Sequence, residues 1–309
     1  MAFNWQTFKT RTLTAAVFVV VMLSGLFINR WTFFILFSVI HFGCWWEYLK
    51  LVEKIQQMTI HRYLKLGLML IGYGLLIWFG WLWYHVNFNS TELLLSLVPV
   101  LGFVFLMIGF SNTQPLKSKS FRFFALGMVY ISFSLGLMIH LFYTDAFYIF
   151  RSERDHLIIV EFFSSFGVLP LVIIFTLWIN DTMAYIVGSL IGRRQISKIS
   201  PKKTWEGTIG GIILSVFVIG LLFSSKFPLF ITYEKEYPYS INNMYWYITA
   251  AITALAGTFG DLLESKLKRM AGVKDSGHIM PGHGGFLDRF DSLLVATPFV
   301  WLYVYFFMT

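Results

Sequence analysis

Long apolar stretches separated by short polar segments run through most of the chain. Each stretch is close to the roughly 20 residues that one helix needs to cross a bilayer. The predicted spans are 12–28, 31–49, 65–85, 92–111, 122–143, 167–191, 207–225, 245–263 and 292–308. The pattern therefore predicts an all-α, polytopic membrane protein with about nine spans.

The composition supports this interpretation. Hydrophobic residues make up 57% of the chain, charged residues only 13%, and the mean hydropathy is +0.68. A soluble domain of this size would have to expose a very large apolar surface. The single cysteine, Cys44, excludes an internal disulfide and a C-x-x-C site.

Lys9 and Arg11 precede the first apolar stretch, so a cleaved leader is one reading of the N-terminus. Many similar stretches follow, and no clear A-x-A site ends the first one. A retained first helix is therefore the expectation.

The distribution of basic residues predicts the orientation, because Lys and Arg accumulate in cytoplasmic loops. With the N-terminus in the cytoplasm, 19 of the 24 Lys and Arg residues lie on the cytoplasmic side. The five on the other side are Arg30, Arg151, Arg154, Lys226 and Lys235. We expect a multi-pass protein of the inner membrane whose active site faces the cytoplasm. The net charge of +8 then suits membrane lipids and a polyphosphate substrate, and no nucleic acid partner is expected.

Polar groups inside or at the ends of helices are concentrated in the second half of the chain. Such groups are costly in a membrane unless they serve a pathway or a site. We therefore expect one integral membrane domain, with scaffold helices over residues 1–160 and a catalytic region over 161–309.

The first polar cluster lies in the sixth span and the loop after it. Asp181 costs about 2.5 to 3.5 kcal/mol in hydrocarbon, so it should face a polar cavity. Pairing with another helix would explain it equally well. The basic loop over residues 197–207 contains Lys202 and Lys203, which suit either a membrane anchor or a nucleotide polyphosphate.

The second cluster closes the eighth span, over residues 260–269. On a helix, Asp261, Glu264, Ser265 and Lys268 share one face. Two carboxylates one turn apart can hold a hard divalent cation, and the basic residues beyond them can contact phosphate. An ordinary solvated helix end has the same pattern.

The third cluster is K-D-S-G-H-I-M-P-G-H-G-G-F-L-D-R-F-D, residues 274–291. Its glycines permit the tight backbone turns of a phosphate-binding loop. Asp288 and Asp291 lie one turn apart at the start of the last helix, and His283 can carry a proton or serve a structural role. In isolation the segment would also suit a flexible loop with a helix cap.

Together the clusters favour phosphoryl or nucleotidyl transfer, in which positioning and charge neutralisation supply most of the catalysis. No Walker A pattern is present, which disfavours an ATP-driven P-loop pump.

The stretch S-K-L-K-R-M-A-G-V-K-D-S-G-H-I-M-P-G-H-G-G-F-L-D-R-F-D, residues 265–291, resembles the signature of the phosphatidate cytidylyltransferases. The stretches N-D-T-x-A-Y and S-P-K-K-T-W-E-G resemble the same family, so the likeness covers roughly residues 175–300. The resemblance implies a dimeric helical membrane enzyme that makes CDP-diacylglycerol and pyrophosphate from CTP and phosphatidic acid with Mg²⁺. A second, monovalent cation such as K⁺ is also implied.

The resemblance also implies roles for individual residues. Asp261 and Asp288 correspond to the metal ligands, and Asp291 and Glu264 are candidates for further ligation. The other candidates for catalysis are Lys268, Arg269, Lys274, Asp275, His283 and Arg289. The candidates for substrate binding are Asp181, Ser200, Lys202, Lys203, Glu206, Ser265, Gly284 and Gly285.

Three other activities compete with this one. A CTP-using polyprenol or phytol kinase would transfer phosphate to a lipid alcohol. A CDP-alcohol phosphatidyltransferase would need D-G-x-x-A-R, which the chain lacks. A secondary transporter could place Asp181 and Asp261 on a midplane pathway, but it would not need the glycine-rich basic loop.

Overall fold

The computed structural model describes residues 5–79, 90–111, 118–148, 167–197, 199–223, 243–279 and 284–308. These residues include ten α-helices and the π-helical segment Met128–Phe133, and none of them belongs to a β-strand. The helices are α1 Trp5–Phe27, α2 Arg30–Gln56, α3 Arg62–Ile77, α4 Ser90–Ser111, α5 Ser118–Gly127, α6 Ser134–Tyr148, α7 Val168–Ile191, α8 Trp205–Leu222, α9 Met244–Met270 and α10 Leu287–Phe307. The π-helical segment Met128–Phe133 joins α5 to α6 without a break.

The predicted all-helical membrane architecture is confirmed, because the described part of every predicted span overlaps a helix. Six helices in the described part of the chain are long and apolar enough to cross a membrane. They are Arg30–Gln56, Lys119–Tyr143, Val168–Ile191, Trp205–Leu222, Met244–Met270 and Leu287–Phe307. The count of nine spans and the cytoplasmic N-terminus stay predictions.

The two helices that carry the second and third clusters are longer than their apolar stretches. Helix α9 continues to Met270 and α10 begins at Leu287, whereas the predicted spans end at 263 and begin at 292. Leu, Glu, Lys and Arg are good helix formers, so the charged end of α9 continues the helix beyond the apolar part. All the charged residues from Asp261 to Arg269 are therefore helical.

The chain forms two compact units. The first contains residues 1–140 and 266–290, and the second contains residues 141–265 and 291–309. The predicted division at residue 160 lies outside the described residues and stays a prediction. Residues 266–290, which contain most of the third cluster, belong to the same unit as the N-terminal helices.

Helix α2 is the central helix of the first unit. Its N-terminus is capped by Asn29, whose Oδ1 accepts the N–H groups of Trp31 and Thr32, both at 2.9 Å. Further along, Trp45 is fully buried and its Nε1 donates to Ser132 Oγ at 2.8 Å. These contacts hold the middle of α2 in the interior of the unit.

In the second unit, α7 and α8 lie very close together. A Cβ atom at Gly207 would be 2.7 Å from the carbonyl oxygen of Ala184, and one at Gly211 would be 2.8 Å from that of Asn180. Small residues at a helix crossing allow this approach in membrane proteins. The crossing positions the polar end of α7 beside the start of α8.

Candidate active site

An acidic group in the second unit combines residues from three helices and one loop. Asp261 of α9 forms an ion pair with Lys203 and accepts a hydrogen bond from Ser265 Oγ at 3.3 Å. Asp291 of α10 is buried and lies within electrostatic reach of Asp261, Asp181 and Lys203. The folded chain thus brings together three predicted aspartates that are far apart in sequence, with a lysine as their counter-charge.

Close backbone contact between α9 and α10 supports this group. A Cβ atom at Gly260 would be 2.5 Å from the carbonyl oxygen of Asp291 and 2.9 Å from Ser292 Cα. Only glycine fits at this position, because the obstructing atoms are backbone atoms of the neighbouring helix. Asp261 is the next residue, so the same contact determines its distance from Asp291.

Replacing Gly260 with Ala is expected to push α9 and α10 apart. Overpacking of this kind typically costs about 1 to 3 kcal/mol, so we expect a lower melting temperature of the detergent-solubilised protein. Thr258→Ala is the control on the same helix, because the Thr258 hydroxyl donates only to the Ala254 carbonyl within α9. Equal melting temperatures for the two variants would contradict the proposed contact.

Lys203 is presented by an ordered loop between α7 and α8. The Ile196 amide donates to the Lys203 carbonyl at 3.0 Å, and the Lys203 amide donates to the Ser200 carbonyl at 3.1 Å. The Glu206 carboxylate accepts the Arg193 amide at 3.1 Å, which ties the two ends of the loop together. Glu206 and Ser200 thus stabilise the loop that positions Lys203. The side chain of Lys202, in contrast, is exposed. The substrate-binding roles predicted for these residues stay predictions.

A second charged group lies in the first unit around Asp288, in the first turn of α10. Asp288 Oδ2 accepts from the Ser276 amide at 2.9 Å and the Gly285 amide at 2.8 Å, and the Ser276 hydroxyl oxygen lies 2.9 Å from it. Asp288 Oδ1 accepts from Lys268 Nζ at 2.6 Å. Gly284 has a φ of +88°, and a Cβ atom there would be 2.6 Å from Asp288 Oδ2. Ser276, Gly284 and Gly285 of the glycine-rich loop, residues 274–286, therefore lie around the Asp288 carboxylate.

Glu47 of α2 is a further member of this group, and our sequence analysis did not identify it. Its side chain is 1% exposed, and its Oε2 accepts from Ser276 Oγ at 2.7 Å and from the Leu287 amide at 2.9 Å. The available signal was a single carboxylate in an otherwise apolar stretch, which is costly in a membrane. Its partners are about 230 residues away, so no local pattern indicates them.

The remaining candidates differ in exposure. Glu264 is buried one turn after Asp261 on α9. Exposed side chains are those of Arg269, Lys274, Asp275 and Arg289. His283 lies outside the described residues.

The carboxylates are suited to a divalent cation that is shared with a substrate. Within the described parts of the chain, no group of three or more His, Cys, Asp or Glu side chains is arranged to hold a metal ion. Mg²⁺, however, is usually held by one or two carboxylates together with substrate phosphates and waters. Asp261 fits this role because its side chain is 29% exposed and has the buried Asp291 within electrostatic reach.

The helices and the charged groups define a multi-pass membrane protein with carboxylate–lysine pairs and a glycine-rich loop suited to phosphate chemistry. Comparison with known proteins identifies the family. The chain belongs to the cytidylyltransferase family, whose model matches residues 9–307.

Individual relatives carry the name phosphatidate cytidylyltransferase. The protein of Rickettsia prowazekii is 34% identical over 203 residues, which are 65% of this chain and 77% of that protein. The protein of Rickettsia typhi is 36% identical over 184 residues, 59% of this chain and 70% of its own length. The protein of Staphylococcus haemolyticus is 41% identical over 154 residues, 49% of this chain and 50% of its own length. The match therefore spans only about half of the staphylococcal relative.

Proposed function

We propose that this protein transfers CMP from CTP to phosphatidic acid and forms CDP-diacylglycerol and pyrophosphate for phospholipid biosynthesis. Membership of the cytidylyltransferase family and the names of the relatives support this reaction. The site assignment rests on the hydrogen bonds of the Asp288 carboxylate. It accepts from the Ser276 amide, the Gly285 amide and Lys268 Nζ. An aspartate whose orientation is fixed by a glycine-rich loop suits a reaction in which the reacting phosphates must be positioned accurately.

The chemical step is an in-line displacement at phosphorus. A phosphate oxygen of phosphatidic acid forms a bond to the α-phosphorus of CTP, and the bond from that phosphorus to the bridging oxygen of the β-phosphate breaks. Pyrophosphate leaves with the electron pair of that bond. The attacking phosphate monoester is already anionic near neutral pH, so a strong general base is unnecessary. Lys268, Arg269, Lys274 and Arg289 supply positive charge for the phosphates.

We propose Mg²⁺ as the cofactor, with Asp261 and Asp288 as ligands and with Asp291 and Glu264 as further candidates. When bound, Mg²⁺ neutralises phosphate charge and activates the departing pyrophosphate. The pairing of Asp261 and Asp288 and a second cation such as K⁺ are implied by the family resemblance alone. Lys203 and Lys268 form ion pairs with the two aspartates and are themselves suited to phosphate oxygens.

The finer topology also belongs to this proposal. Nine spans, a cytoplasmic N-terminus and a cytoplasmic active site in the inner membrane follow from the apolar stretches and the basic loops. CTP is a cytosolic nucleotide, which agrees with the basic loops on that face. A homodimer is proposed from the family resemblance.

Two labelled forms of CTP test the reaction. Purified protein with phosphatidic acid and Mg²⁺ is expected to place label from the α-phosphate of CTP in the lipid product and label from the γ-phosphate in pyrophosphate. A lipid kinase would give the reverse result in the lipid fraction. A transporter would give no nucleotide turnover, and either outcome would overturn the proposal.

A further inference from the structure

The carboxylate of Glu47 is buried in the interior of the first unit, close to the point where the apolar part of α2 ends. A charged side chain that is cut off from water is costly unless the fold supplies partners for it. Its neighbours on α2 are apolar or aromatic, including the fully buried Trp45 and the nearly buried Tyr48. A carboxylate in this position needs partners from elsewhere in the fold, and those partners belong to the glycine-rich loop.

One of these partners is the N-terminus of α10. The first N–H groups of a helix have no acceptor within the helix, and the helix dipole favours negative charge at that end. Glu47 Oε2 accepts the amide of Leu287, the first residue of α10, at 2.9 Å. Glu47 is therefore a helix cap supplied by a segment 240 residues away in sequence.

The other partner links Glu47 to the predicted catalytic aspartate. Ser276 Oγ lies 2.7 Å from Glu47 Oε2 and 2.9 Å from Asp288 Oδ2. The Ser276 amide donates to the same Asp288 oxygen at 2.9 Å. Ser276 thus joins two carboxylates: its single hydroxyl proton can be donated to Glu47 of α2 while its backbone amide donates to Asp288 of α10.

The glycines of the loop fit closely around the Glu47 side chain. The Cβ position of Gly277 is occupied by the Glu47 carboxylate, and so is that of Gly285. At Gly277 the three nearest atoms are all atoms of the Glu47 side chain. A side chain at Gly277 would therefore displace the Glu47 carboxylate from its position.

We propose that Glu47 is a positioning residue for the cytidylyltransferase reaction: it anchors the glycine-rich loop and the start of α10, and through Ser276 it holds Asp288 in its reactive orientation. This inference rests on the proposed function. It assigns a specific task to the N-terminal part of the chain, for which our sequence analysis predicted only a scaffold. Glu47 acts on the reaction through Ser276 and Asp288 and needs no contact with substrate.

A double-mutant cycle of Glu47 and Gly277 tests the proposal. Glu47→Ala removes two buried hydrogen bonds to a charged group, and we expect kcat to fall about tenfold or more. Glu47→Gln keeps one acceptor oxygen for Ser276 and Leu287, so it should retain at least roughly a third of the wild-type kcat. Gly277→Ala should lower kcat severalfold in the wild-type background and have almost no effect in the Glu47→Ala background, where the space is empty.

A second readout follows the loop without using activity. Hydrogen exchange of peptides that contain the Leu287 amide should be faster in Glu47→Ala than in wild type and nearly unchanged in Glu47→Gln. The control is Glu53→Ala, which removes another α2 carboxylate that pairs with Lys65 at 2.8 Å. This control should change neither kcat nor the exchange of the Leu287 amide.

The outcomes separate this inference from the proposed function. No CDP-lipid from the wild-type protein would overturn the function itself. An active wild type with unchanged kcat and exchange in Glu47→Ala, or equal effects of Gly277→Ala in both backgrounds, would overturn the role of Glu47 alone. If the Glu47→Ala protein does not accumulate, Ser276→Ala serves as the test variant. Its kcat is expected to be several times lower than that of the wild type. A kcat equal to that of the wild type would overturn the proposal.

Discussion

Replacing Asp288 with Asn is expected to lower formation of CDP-diacylglycerol by about 100-fold or more, a loss typical of removing a preorganised charged group from an active site. The Asp288 carboxylate accepts the Ser276 and Gly285 amides on Oδ2 and Lys268 on Oδ1. An asparagine has one acceptor oxygen, so its amide group must face either Lys268 or the loop donors. The amount of CDP-lipid formed per minute by purified, detergent-solubilised protein measures the effect.

The control for this variant is Glu53→Gln, which makes the same change from acid to amide elsewhere in the first unit. Glu53 pairs with Lys65 and accepts the Ile60 amide at 2.7 Å, so its role is local. Glu53→Gln should stay within about twofold of wild type, since partly exposed ion pairs are worth little. Both variants should elute as folded protein. Near-normal turnover by Asp288→Asn would refute the assignment of Asp288 to the active site.

Replacing Asp261 with Asn is expected to lower the enzymatic activity by a similar factor. In this variant, however, the loss should depend on the Mg²⁺ concentration. Asp261 carries the negative charge that pairs with Lys203 and lies within electrostatic reach of Asp291. Removing this charge weakens the attraction for a divalent cation, so we expect at least about a 100-fold loss of activity at low Mg²⁺. Higher Mg²⁺ should recover part of the activity, because a weakened site can be filled by mass action.

A titration of activity against Mg²⁺ measures this effect. The concentration that gives half-maximal rate should rise in Asp261→Asn and stay unchanged in Glu53→Gln. A variant that is active at the wild-type Mg²⁺ concentration would show that Asp261 is not a metal ligand. A large loss without any change in Mg²⁺ dependence would instead assign Asp261 to holding Lys203.

The local sequence pattern was sufficient to predict the helices and to select most of the candidate site residues. Apolar stretches of bilayer length predict helices because backbone groups must pair within the segment when no water is present. The spacing of Asp261 and Glu264 on one helix could be read directly, since α9 is regular through Met270. The signature over residues 265–291 predicted the family that the comparison then identified.

Long-range packing decided the partners of these residues. The sequence predicted Lys203 as a membrane anchor or a phosphate-binding residue and Lys268 as a phosphate-binding residue, whereas the folded chain pairs them with Asp261 and Asp288. Nothing in the local pattern connects Glu47 with Ser276, because a hydrogen bond across 229 residues depends on how α2 packs against the loop. Periodicity therefore determines which residues share a helix face, and the close packing of whole helices determines which of those faces meet.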